Sequence, residues 1–150
     1  MNGNLKPSDR AAVVGVIDPD LNTAGTVTTG WVDMSQWGAL MAIIAAGTLG
    51  SAATLDAKLE QASDGSGTGA KDIDGKAITQ LTQAGTDESD QQAVIDLFAN
   101  ELDINNGFTH ARLSMTVATA SSDSSGLLLG FDPRYGKASD SDAASVAEIV

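Results

Sequence analysis

Residues 53–82 read ATLDAKLEQASDGSGTGAKDIDGKAITQLT. They open with strict alternation: Leu55, Ala57 and Leu59 point one way, Asp56, Lys58 and Glu60 the other. A period of two residues belongs to a half-buried β-strand, not to a helix with its period of 3.6. A loop of Asp, Gly, Ser and Thr follows, and then a second apolar run from Ala77 to Leu81. This pattern predicts an antiparallel strand pair with one wet face, Ala53–Gln61 and Ala77–Leu81, around a flexible loop from Ser63 to Lys76 whose one apolar anchor is Ile73.

The same reasoning extends outward. Ala111, Leu113, Met115 and Val117 alternate with Arg112, Ser114, Thr116 and Ala118, so Phe108–Thr119 is a second half-buried strand, preceded by the tight-turn signal Asn105-Asn106-Gly107. Ala11–Ile17 is a short β-branched run that Asp18-Pro19-Asp20 should close as a turn. Thr26–Met34 and Gly126–Phe131 also read as strands, and Asn100–Asn106 as a connection. In Gln92–Phe98 the periods conflict, since Val94, Phe98 and Leu102 fit a helix face and Ala93, Ile95 and Leu97 a strand; the β-rich surroundings favour the strand. Leu40–Ala46 has the composition of a short helix, but the glycines that bound it so tightly favour a buried central strand slightly. About eight short strands with turn chemistry between them predict an all-β protein, an antiparallel β-sandwich of jelly-roll type. Residues 1–150 should form a single domain with a flexible N-terminal arm (about 1–9) and C-terminal tail (about 133–150).

Composition narrows the function classes. The 150 residues carry 20 acidic and 8 basic side chains, a net charge of −12. No Lys/Arg cluster exists to neutralise phosphates, so neither nucleic acid nor an anionic membrane surface is an expected partner. With no cysteine, disulfides and thiolate chemistry are excluded. The N-terminus MNGNLKPSDR has no hydrophobic signal core, and the longest apolar run, ALMAIIAAG at 39–47, is too short to span a bilayer. A soluble protein made in the cytoplasm is expected. Aromatics make up only 4% of the chain. A core so short of large side chains gains less per residue, and partner subunits could supply the remainder.

No residue set announces chemistry. His110 is the single histidine and falls on the polar face beside Arg112, where a surface role outweighs that of a base or metal ligand. The loop Asp64-Gly65-Ser66-Gly67-Thr68-Gly69 with Asp72 and Asp74 invites a calcium reading. Ser66 and Thr68, however, stand where such loops carry carboxylates or amides, and Gly75 stands where the closing Glu belongs. The carboxylate pairs Asp18/Asp20, Asp72/Asp74 and Asp140/Asp142 sit in turn-like, exposed contexts. No serine lies in a GxSxG elbow. Trp31 and Trp37 could stack on a sugar, but packing is the better use of them in so aromatic-poor a chain. No catalytic, cofactor-binding or metal residue is therefore assigned, no cofactor is expected, and the chain reads as non-enzymatic.

Five segments carry a resemblance: VVGVIDPD (13–20), TTGWVDMSQW (28–37), the block at 53–82 quoted above, ELDINNGFTHARLSMTVA (101–118) and GFDPRYGKAS (130–139). Together they resemble virion structural proteins of tailed bacteriophages and prophages, especially those of alphaproteobacteria. The resemblance implies a capsid decoration or cement protein on the outer surface of the virion. Its partner would be the major capsid protein, and the chain would be a homo-oligomer, with a trimer as one form. It carries no active-site residues. A head-fibre base or tail component is the alternative within the same class, and a carbohydrate-binding β-sandwich using Trp31 or Trp37 is the alternative outside it. Leu5 and the tip Val146, Ile149 and Val150 are apolar residues in polar segments, so the arm Asn2–Asp9 or the tail Asp140–Val150 is expected to contact the shell or a neighbouring subunit.

Overall fold

A computed structural model describes residues 4–150. The strands are β1 (Ala11–Asn22), β2 (Gly25–Thr28), β3 (Val32–Asp33), β4 (Trp37–Ala46), β5 (Thr54–Ala62), β6 (Lys71–Ala77), β7 (Leu81–Thr82), β8 (Gln92–Phe98), β9 (His110–Ala118) and β10 (Ser122–Pro133). A helical turn, α1 (Pro7–Arg10), precedes them, and short 3₁₀ turns occupy Ala99–Glu101, Ile104–Asn106 and Ala138–Ser141.

All pairings are antiparallel. One sheet has the order β1-β10-β4-β8, the other β2-β9-β5-β6, with β3 and β7 as two-residue extensions beside β9 and β5. Leaving those extensions aside, the chain behaves as one long hairpin whose arms pair first with last: β1 with β10, β2 with β9, β4 with β8, β5 with β6. Wrapped into two layers, that hairpin is the eight-stranded jelly roll. The fold is an all-β antiparallel sandwich, as the alternation predicts.

The inward faces follow the sequence periods. Leu55, Ala57 and Leu59 of β5 meet Ala111, Leu113, Met115 and Val117 of β9, all but fully buried. Leu40, Ala42 and Ile44 of β4, Leu128 of β10, and Ile95 and Leu97 of β8 close the core from the other layer. Every buried side-chain nitrogen or oxygen among the described residues has a hydrogen-bond partner.

Three sequence expectations need correction. Asp18-Pro19-Asp20 does not end β1. The strand runs on to Asn22, and the register with β10 slips between Ile17 and Asp20. β1 is an edge strand, where a proline at a bulge sacrifices no ladder bond. The second strand of the opening stretch is Lys71–Ala77, not Ala77–Leu81, so the loop is 63–70. β6 escaped notice because it is also an edge strand: only Ile73 points into the core, and a bulge at Gly75 (φ +72°) breaks its alternation. Gly126–Phe131 is the middle of a strand of twelve residues.

The ends expected to be loose are partly built into the fold; residues 1–3 of the arm lie outside the described residues. Asp9 accepts a hydrogen bond from the Lys6 amide at 3.1 Å and lies 3.3 Å from the Lys137 ammonium. Ala138 is fully buried. At a second register slip of β1, between Val13 and Gly15, Val13 donates its N–H to Asp142 Oδ1 and accepts from the Ala143 N–H, both at 2.7 Å. The tail therefore covers part of an edge that would otherwise present open backbone groups.

Candidate functional site

A sandwich has two outer faces, and in this protein they differ in kind. On the β2-β9-β5-β6 sheet the outward rows are polar. Thr26 faces Thr116, which faces Asp56. In the next row Thr28, Ser114 and Lys58 stand side by side, and then Arg112, Glu60 and Asp72. Lys58 Nζ lies 2.7 Å from Asp72 and 3.6 Å from Glu60, while Arg112 Nε donates to Glu60 at 2.8 Å. The hydrogen bond that Lys58 donates to Asp72, against the opposing effect of burial, raises the Lys58 pKa. This face is a network of solvated ion pairs.

The outer face of the β1-β10-β4-β8 sheet is apolar. Its first cross-strand row is Val16, Leu127, Ile43 and Val94. The second is Val13, Leu129, Met41 and Asp96, and the third Ala11, Phe131, Ala39 and Phe98. Eleven of these twelve positions are apolar. Phe98 is 61% exposed, Val94 56% and Leu127 39%. The four strands contain no Lys or Arg. With strands about 4.8 Å apart and successive rows about 7 Å apart, the patch covers about 400 Å². That is as large as the biggest apolar patch usual on a monomer, and patches of this size commonly serve recognition.

The residues weighed for chemistry are dispersed. His110 lies on the polar face of β9; its Nδ1 is 2.8 Å from Thr109 Oγ1, and Asp33 stands opposite it in the β3–β9 pair. Burial alone would raise the Asp33 pKa. The Ser35 N–H and hydroxyl, together with the charge of His110, hold it below the usual range. In the 63–70 loop Asp64 Oδ1 accepts from the amides of Ser66 (2.9 Å) and Thr68 (3.1 Å), so this carboxylate organises its own turn while Asp72 is engaged with Lys58. Asp18 and Asp20 flank the β1 bulge, and Asp142 bolts the tail to Val13. Among the described residues no group of three His, Cys, Asp or Glu could hold a metal ion, and no helix among them is long and apolar enough to cross a membrane.

The tryptophans part company. Trp37 is 3% exposed, packed against Gly130 in the core, and cannot serve as a sugar platform. Trp31 is half-buried, with the Arg112 guanidinium 4.4 Å from its ring centre and the Gly67 backbone against its indole nitrogen. At one end of the sandwich an open cleft of about 380 Å³ is lined by Met34, Leu102, Phe108 and Tyr135 among others. Its single charged side chain, Arg134, is tied to the Trp37 carbonyl at 3.3 Å.

The apolar face was not recognised from sequence, although two signals for it were present. ALMAIIAA in β4 and GLLLGF in β10 are unbroken apolar runs, the pattern of strands buried on both sides. Their strands and both neighbours lack any cation.

No family model matches the chain, and no curated protein matches it in sequence. Among solved structures, a chain of infectious bursal disease virus Gt strain matches with a TM-score of 0.42 and 15% identity over 87% of this chain. A chain of broad bean stain virus matches with 0.43 and 16% over 77%, and one of the empty top component of cowpea mosaic virus with 0.42 and 11% over 86%. This chain spans 34%, 63% and 86% of those three chains, respectively. Likenesses this loose carry no function over to this protein.

Proposed function

We propose that this protein is a non-enzymatic virion structural component, a decoration or cement protein bound to the outer surface of a shell of major capsid protein. The observation that carries the reading is the two-faced jelly roll: one outer sheet face apolar and free of cations, the other a solvated ion-pair network, with no acid, base or nucleophile assembled among the described residues. Such a molecule is built to be held by other proteins rather than to turn over a substrate. The segments resembling tailed-phage virion proteins point the same way, and the jelly roll is a fold that capsid proteins use among other classes.

The attachment surface includes the termini in this reading. Ile149 is 53% exposed and Val150 fully so, which leaves the tail tip available to reach a neighbour beyond the clamp at Asp142. Electron cryo-microscopy of the intact particle tests the proposal. Density for this sandwich at symmetric positions on the outer shell is the expected result; density at a fibre base or on the tail would replace the cement role, and absence from purified particles would overturn the virion reading. Truncation of residues 144–150 should lower occupancy on capsids. Unchanged binding by that variant and by one lacking residues 2–9 would refute a role for the ends.

A further inference from the structure

We infer that the apolar outer face of the β1-β10-β4-β8 sheet is the interface between copies of this chain, packed sheet on sheet with the strands of the two copies running in opposite directions. The inference stands apart from the virion reading. It rests on the rows of that face and on the charges at their two ends.

At one end of the sheet stand Asp18 and Asp20 of β1, Asp123 of β10 and Asp90 just before β8. All four are exposed, and none takes part in an ion pair among the described residues. The opposite end carries Arg10, immediately before β1, and Arg134, immediately after β10, again exposed and without an ion pair among the described residues. The same end also carries the exposed carboxylates Asp132 and Asp140, neither in an ion pair among the described residues, and Asp9, which is held by Lys137. The face is thus apolar in the middle, acidic at one pole and mixed in charge at the other, where Arg10 and Arg134 stand without an ion pair among the described residues although Arg134 donates to the Trp37 carbonyl. A two-fold axis in the plane of the face, perpendicular to the strands, lays the acidic pole of one copy over Arg10 and Arg134 of its partner. An axis parallel to the strands would stack acid on acid. Charge complementarity therefore selects the isologous antiparallel arrangement, in which the apolar rows meet at the usual sheet-to-sheet spacing of about 10 Å.

Area sets the strength. The patch of about 400 Å² is half the roughly 800 Å² per partner of a standard stable interface, so the association is reversible and concentration-dependent rather than obligate. Asp96, the single charge within the rows, lies on the edge strand β8, where it can reach water at the rim.

Sedimentation velocity of the full chain over a hundredfold concentration range, at low and high salt, tests the inference. The expected result is a weight-average mass that rises with concentration and less steeply at high salt. Phe98→Asp and Leu127→Asp should each abolish the rise, while Thr116→Asp on the other face leaves it unchanged. Should Leu127→Asp fail to fold, Phe98→Asp, at the end of an edge strand, carries the test alone. Arg134→Glu should weaken association, and adding Asp123→Arg should restore it. A monomer at every concentration overturns the inference, as does association indifferent to both face variants. Particle binding by a strictly monomeric chain through this same face would overturn it too, while leaving the virion reading intact.

Discussion

Gly130→Ala is the sharpest probe of how the two layers meet. Gly130 sits on the inner side of β10, opposite Ala12 of β1 and Leu40 of β4. A Cβ built there would lie 2.6 Å from Cδ2 of Trp37 and 2.8 Å from both Cε2 and Cε3. Carbon–carbon contacts settle at about 3.5–4.0 Å, so the indole would have to retreat by about 1 Å. It has little room: Trp37 is 3% exposed, its Cα is paired with Pro133, and its carbonyl accepts from Arg134. Overpacking of this kind costs about 1–3 kcal/mol. Against this, Gly130 does not occupy the positive-φ region, so alanine restricts the unfolded chain and returns roughly 0.4–1 kcal/mol. The net loss is about 1–2 kcal/mol. With an unfolding entropy of about 2.1 cal/mol/K per residue, the whole chain loses about 0.3 kcal/mol per degree, and Tm should fall by roughly 3–6 °C. Differential scanning calorimetry reads this directly. A double-mutant cycle with Trp37→Leu separates the contact from other causes, because shortening the indole should remove the clash and leave the pair less destabilised than the sum by about 1 kcal/mol. An unchanged or raised Tm in Gly130→Ala, or strict additivity in the cycle, would refute the packing argument.

Three further expectations follow from other parts of the molecule. Leu113→Ala empties a fully buried site at the middle of β9 and should cost about 2–5 kcal/mol, read as a lower urea midpoint at unchanged m. Thr119 holds φ at +73° in the β9–β10 turn, a region costly for a β-branched residue, so Thr119→Gly should raise Tm by about 2 °C once the extra entropy of glycine in the unfolded chain is subtracted; a fall would show that the turn is not strained. Hydrogen bonds from Thr68 to Asp64, Ser89 to Asp87, Lys76 to Glu101 and Lys71 to Asp103 hold these carboxyls below their ordinary values. A carboxyl whose folded pKa is depressed stabilises the protein above its unfolded pKa and loses that contribution as pH falls through the folded one. Tm should therefore be level near pH 6 and decline below about pH 4, and a Tm that stays level down to pH 2.5 would contradict these hydrogen bonds.

The parts of the fold legible in the sequence are those where water and core compete for alternate residues. β5 and β9 are central strands of a sheet with one solvated face, and their period of two gives both their location and their inward residues. β4 and β10 are legible as strands but not in their orientation, since both faces are apolar and alternation vanishes; reading Leu40–Ala46 as simply buried conceals that Met41 and Ile43, with Ala39 before them, face out of the sandwich. The edges were harder still. β6 buries one residue, Ile73, and is interrupted by Gly75, so local composition resembled a loop. At Asp18-Pro19-Asp20 turn-forming residues occupy a bulge, and only the pairing of Leu21 with Asp123, a hundred positions along the chain, shows that the strand continues. The apolar face, finally, is a property of four segments brought together by the fold. No window of sequence contains it.

The pairing of β1 with β10 also dictates when the protein can exist. A chain made from its N-terminus exposes Ala12, Ile17 and the rest of β1 long before Ser122–Pro133 is synthesised, and β4 waits for β8 and β10 likewise. The β5–β6 hairpin, at the centre of the sequence, and the β7 extension beside β5 can form from neighbours as they emerge. On this topology assembly should proceed from the middle outward, leaving the most apolar strands unpaired until Ser122–Pro133 has been made. The seal that Asp142 and Ala143 place on Val13 can form only after both strands of that edge have been made, and a chain halted before it is a sticky, open hairpin rather than a smaller protein.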